Sequence, residues 1–139
     1  MKRFATVVAA VLSLFAVPLL AANPASPMKP GKWEISVQMD MPGMSMPAHT
    51  MTKCVTKEEI ADAQNAIPKG RNESDCKMKD VKVDGNTLTW KMNCDARQIT
   101  GEGKMVFESE TYTGEAHIKM PEHEMTMKYT GKRLGDCEK

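Results

Sequence analysis

From Trp33 to Met41 every second residue is apolar, with Trp33, Ile35, Val37, Met39 and Met41 on one face and Glu34, Ser36, Gln38 and Asp40 on the other. A period of two fits a half-buried β-strand and no helix. The signature returns twice. Leu88, Trp90, Met92 and Cys94 alternate with Thr87, Thr89, Lys91 and Asn93, and Tyr112, Gly114, Ala116, Ile118 and Met120 with Thr111, Thr113, Glu115, His117 and Lys119. Further strands are expected from about Thr50 to Val55, up to Val83, from about Ile99 to Ser109, and after Pro121, where His123, Met125, Met127 and Tyr129 share a side. Pro42 with Gly43, and Asp84, Gly85 and Asn86, supply the turns. One segment departs from this period: Thr56 and Glu59 form a capping box, and Ile60, Ala63 and Ile67 then make a helical stripe that Pro68 and Gly70 end. The fold expected is mostly β, an antiparallel meander of about seven strands forming a curved sheet or small barrel, with one short helix between the second and third strands.

Ahead of these strands, Lys2 and Arg3 precede an apolar run from Phe4 to Leu20, closed by the small residues Ala21 and Ala22. This is the pattern of a secretory signal peptide cleaved near Ala22, so residues 1–22 are read as leader and residues 23–139 as a single domain bound for the periplasm. Asn23, Pro24 and Ser26 follow at once, with no stop-transfer flank, so stable membrane insertion of the mature chain is not expected. Removing Lys2 and Arg3 leaves basic and acidic residues nearly balanced, which gives no electrostatic case for nucleic acid. Cys54, Cys76, Cys94 and Cys137 all lie in the mature part, and an even set in an exported chain reads as a disulfide framework. Three pairings are open. Cys54 with Cys76, closing a loop around the helix, and Cys94 with Cys137, tying the tail to a central strand, are favoured. A four-cysteine zinc site would call for close C-x-x-C pairs, which this spacing does not provide.

All methionines but Met1 lie beyond the leader, and they bunch from Met39 to Met51 and from Met105 to Met127, each stretch carrying histidine. A thioether can fill a core, bind a monovalent soft metal or be oxidised to sulfoxide. Aromatic residues are only 5% of the chain, so methionine has core volume to supply. Met39, Met41, Met92, Met120, Met125 and Met127 share strand faces with large apolar residues and are assigned to packing. Pro42, Gly43 and Pro47 make the next stretch loop-like and leave Met44 and Met46 exposed, either as a flap over the apolar interior or as ligands. Met44, Met46, His49 and Met51 are therefore the candidate site for Cu(I) or Ag(I), which thioethers and imidazole suit. His117, Met120, His123, Met125 and Met127 could complete it, although alternation puts His117 on the face opposite Met120.

Enzyme motifs are poor. Gly101 and Gly103 lack a third glycine and a following helix, Ser45 has no nucleophile elbow around it, and Glu108 with Glu110 reads as the solvated end of a hairpin. His49, His117 and His123 have no activated nucleophile nearby in sequence. Asn72 to Ser74 matches the glycosylation sequon. No catalytic residue and no resident cofactor are assigned, Cu(I) being the only candidate.

Pro30, Gly31, Lys32, Trp33 and Glu34 open the mature domain, Met41, Pro42, Gly43 and Met44 follow, and Gly131, Lys132, Arg133, Leu134, Gly135, Asp136 and Cys137 close it. With Cys54, the Asp75 and Cys76 pair and the strand from Thr89 to Cys94, these resemble the exported bacterial family known as domain of unknown function 3617. The resemblance spans nearly all the mature chain. It implies a small cysteine-containing periplasmic domain with methionine near the Pro42 and Gly43 step, and it brings no catalytic residue. The function expected is a non-enzymatic binding or envelope role of uncharacterised kind, with two sharper forms. One is a Cu(I)- or Ag(I)-binding protein. The other is a carrier of an apolar ligand in a Met-lined cavity, with Trp33 and Trp90 in its wall.

Overall fold

The computed structural model describes residues 24–69 and 75–138. The expected leader, Gly70 and the sequon at Asn72 lie outside them. Among the described residues, eight strands form one antiparallel sheet: β1 Gly31–Met41, β2 Met44–Ser45, β3 His49–Val55, β4 Cys76–Asp84, β5 Thr87–Cys94, β6 Ile99–Phe107, β7 Thr111–Lys119 and β8 Glu124–Gly135. Their order is β2–β1–β8–β7–β6–β5–β4, with β3 also paired to β1. β3 covers β1 from Gly31 to Val37 and β2 covers Asp40 and Met41, so the two share one row. The sheet thus has the seven rows expected, curled into a half-barrel. Among the described residues its edge rows, β3 and β4, do not pair, and the curl stays open.

The alternation read from the sequence sets the inner face. Trp33, Leu88 and Met105 are wholly buried, and Trp90, Phe107, Tyr112, Ala116 and Tyr129 join them in one cluster. Three inner-face glycines let large neighbours lie flat across the sheet: Gly103 pairs with Trp90, Gly114 with Met105, and Gly131 with Tyr112. A Cβ on them would fall 2.2 Å, 2.6 Å and 2.0 Å from those side chains. Missing side chains on the concave face also make room for the curl. Gly43, with φ of +78°, follows Pro42 in the turn between β1 and β2, the arrangement a type II turn requires.

The helical segment is shorter than its stripe predicts. Thr56 and Glu59 make the capping box, yet helix α1 spans only Lys57–Ile60. Asp62 then accepts a hydrogen bond from the Gln64 amide, a local turn that competes with helix, and Ala63–Ala66 continue as 3-10. The stripe is nonetheless buried, with Ala63 wholly so and Ile67 nearly so. Residues 56–69 therefore act as an arm laid over one end of the concave face. The Ser26 amide donates to the Ile60 carbonyl (2.8 Å) and the Ala63 amide to the Pro24 carbonyl (2.8 Å), which straps the arm to the incoming chain.

The favoured cysteine pairing is corrected. Cys54 bonds Cys137, and Cys76 bonds Cys94. The sheet order gives the reason: Cys54 is on β3 at one edge and Cys76 on β4 at the other, so a loop around the helix cannot bring them together. Cys76 instead faces Cys94 in register, while Lys32 of β1 lies between Cys54 and Gly135. With sequence separations of 83 and 18, loop-closure entropy alone gives about 4.5 and about 3 kcal/mol. Paired cysteines of this kind persist in oxidising compartments. No helix among the described residues is long and apolar enough to cross a membrane.

Candidate functional site

Between the concave face and the arm lies a cavity of about 600 Å³, within the range of small-molecule sites. Strand β1 contributes Ile35, Val37 and Met39, because odd-numbered residues on that strand face inward. Register then carries the same face to β3, where Met51 stands opposite Ile35 and His49 opposite Val37. On the other side of β1, Tyr129 faces Val37 and Met127 faces Met39. Tyr112 closes the floor from β7, and Ile60, Ala66 and Ile67 form the roof from the arm. Met28, just before β1, fills the corner.

The lining is mainly apolar, and its polar groups sit toward the arm. Lys53 bridges Glu59 at 2.9 Å. The backbone amide of Thr56, donating to Glu59 at 2.8 Å, is the main reason that its carboxyl stays below the ordinary carboxylate range, with Lys53 second. Glu59 is thereby fixed as an ionised cap. Asn65 donates to the Glu59 carbonyl at 3.1 Å, and Lys69 completes the polar side. Burial pushes the Tyr112 phenol up to about 12, with Tyr129 adding to the effect, so Tyr112 is neutral at physiological pH.

The Met-bearing turn is clamped from the outer face. Asp40 accepts from Ser45, from Gln38 at 3.3 Å and from Lys128, whose Nζ lies 2.8 Å away. The Lys128 ammonium, ahead of Ser45, holds the Asp40 carboxyl below its usual range.

The four predicted metal ligands lie on one side of the edge row but not at one point. Met51 stands opposite Ile35 and Met44 opposite Met41, a span of about 20 Å at roughly 3.3 Å per residue, so a single ion reaches only neighbours among them. His49 and Met51 enter the cavity wall, while Met44 is 59% exposed and does not act as a flap over the interior. Of the second segment, only Met127 joins the cavity. His117 faces outward, with Nε2 2.8 Å from Glu115 and Nδ1 3.2 Å from the Thr126 hydroxyl, and the His123 carbonyl accepts from the Met120 amide at the β7–β8 turn. The expected tryptophan wall is a tyrosine wall: Trp33 packs behind Tyr112, ring centroids 5.6 Å apart, and neither tryptophan lines the cavity. Sequence reasoning also passed over Met28 and Lys69, which belong to no periodic segment.

One family model, described as "Protein of unknown function (DUF3617)", matches residues 28–137. Comparison with the curated proteins and with the solved structures gives no match.

Proposed function

Since that match runs over most of its length, the chain belongs to the DUF3617 family, and from this footing we propose that it is an exported, non-enzymatic binding protein of the periplasm that takes up an apolar or amphiphilic small molecule beneath its arm. The cavity carries this reading. Its floor and roof are side chains that a well-packed domain of this size would bring together, yet about 600 Å³ separates them. An alkyl chain entering it exchanges water for contact with Ile35, Val37, Met39 and Met127, worth about 0.8 kcal/mol per methylene. Methionine suits such a wall because its unbranched side chain adapts to ligands of differing shape. The signal-peptide pattern of the first residues and the two disulfides support the address.

Calorimetric titration of the oxidised protein with straight-chain alkyl carboxylates and the matching alcohols tests the proposal. Affinity should rise about fourfold for each added methylene and level off once the cavity is full. Met51→Lys, at a wall position already 46% exposed, should weaken binding and leave the fold intact. Affinity that ignores chain length, or is the same in Met51→Lys, would remove the cavity from the function.

A further inference from the structure

The cavity gathers more soft donors at one end than an alkyl ligand requires. Met127 faces Met39 directly across the β1–β8 pair. On the opposite flank of Met39, the Met46 amide donates to the Met39 carbonyl at 2.9 Å, extending the register that sets Asp40 against Ser45 and Met41 against Met44. Met127, Met39 and Met46 thus follow one another across the sheet, Met127 on β8, Met39 on β1 and Met46 at the residue just past β2. His49 stands opposite Val37, one inward position from Met39. Facing side chains in such a ladder are about 5 Å apart at Cβ and diagonal ones about 7–8 Å, distances that methionine arms and an imidazole can close above Met39. Met39, His49 and Met127 line the same cavity, and Met46 stands 39% exposed beside it.

We propose that Met39, Met46, Met127 and His49 form a binding site for a monovalent soft metal ion, Cu(I) or Ag(I). Three neutral sulfurs and one imidazole match the preference of these ions and offer little to Mg²⁺ or Ca²⁺, which need oxygen. Asp40, the nearest carboxylate on β1, belongs to the outward-facing set and is engaged by Lys128. No described cysteine is free to compete as a thiolate. The Tyr129 hydroxyl donates to Met127 Sδ at 3.3 Å and uses one sulfur lone pair, leaving the other for a metal. The set retains Met46 and His49 from the stretch that the sequence singles out. It replaces Met51, which register carries four residues along β1 from Met39, and Met44, which is 59% exposed and outside the cavity lining, with two methionines that alternation alone assigns to packing. The site does not depend on the alkyl ligand, and its test reads metal directly.

The test is an Ag(I) titration of oxidised protein labelled at the methionine methyls with ¹³C, followed by two-dimensional NMR, with Cu(I) affinity then measured anaerobically against a competing chelator. One equivalent of Ag(I) should move the methyl signals of Met39, Met46 and Met127 and leave Met92 and Met105 in place. Changes outside the ligand sphere alone cost about 10–100-fold in metal affinity, so the Met39→Leu, Met46→Leu, Met127→Leu triple variant should lose at least about 100-fold. Met44→Leu with Met51→Leu should lose less than about threefold, well short of that outer-sphere range. The unmodified protein's NMR map decides the matter should the triple variant fail to fold. Shifts spread over every exposed methionine, shifts confined to Met44 and Met51, or no shift at all would overturn the site.

Discussion

Gly131 sits on β8 opposite Tyr112 of β7, and a methyl group there would land 2.0 Å from the tyrosine ring. The ring packs against Trp33 at 5.6 Å and Phe107 at 5.4 Å between centroids, so it can yield only toward the cavity and at the cost of those contacts. Gly131→Ala should therefore destabilise the domain by about 1–3 kcal/mol, the usual cost of overpacking, read from the midpoint of urea unfolding. An unchanged midpoint would mean that the floor of the cavity is soft. At this scale the sequence was informative about direction and silent about depth. Alternation set Leu88, Trp90, Met92 and Cys94 inward, and all four are buried. It set Ile35, Val37 and Met39 on the same face as Trp33, but these three are only partly buried because they border the cavity. Depth follows from which strands flank a residue, and a period of two carries no such information.

The arm is the element on which the cavity depends. Its capping box was legible as Thr56 and Glu59, three residues apart, whereas its early change to 3-10 was not, because Asp62 ends the helix through its own side-chain hydrogen bond. Thr56→Ala removes the cap and should cost about 1 kcal/mol. Acid should act on the same joint. The Glu59 carboxyl titrates below its unfolded value, so its contribution is complete above that value, about 4.3, and is lost as pH falls through the folded pKa. Hydrogen exchange, corrected for intrinsic rates, should then report earlier opening of the Ala63 amide, bound to the Pro24 carbonyl, than of amides in β6 and β7 as pH drops below about 4. Equal protection of arm and sheet across that range would show that the arm is not a separate unit.

Over the whole molecule, the sheet order governs what the sequence could not convey. Seven strand signals and their turns predict a meander, but the long β8 lies against β1, placing the first and last strands side by side and leaving β3 and β4 at the edges. That return decides the cysteine pairing, since Cys137 arrives beside β1 and Cys54 while Cys76 stays with its hairpin partner Cys94. It also assembles the cavity from Met28, Met39, Met51 and Met127, which are far apart in sequence and share no motif. The most direct check uses the same ¹³C-methyl methionine spectrum, now with a saturating straight-chain alkyl carboxylate. The signals of Met28, Met39, Met51 and Met127 should shift together while those of Met92 and Met105 hold still. Shifts at Met44 alone, or an unchanged spectrum at saturating ligand, would contradict a cavity that binds apolar molecules.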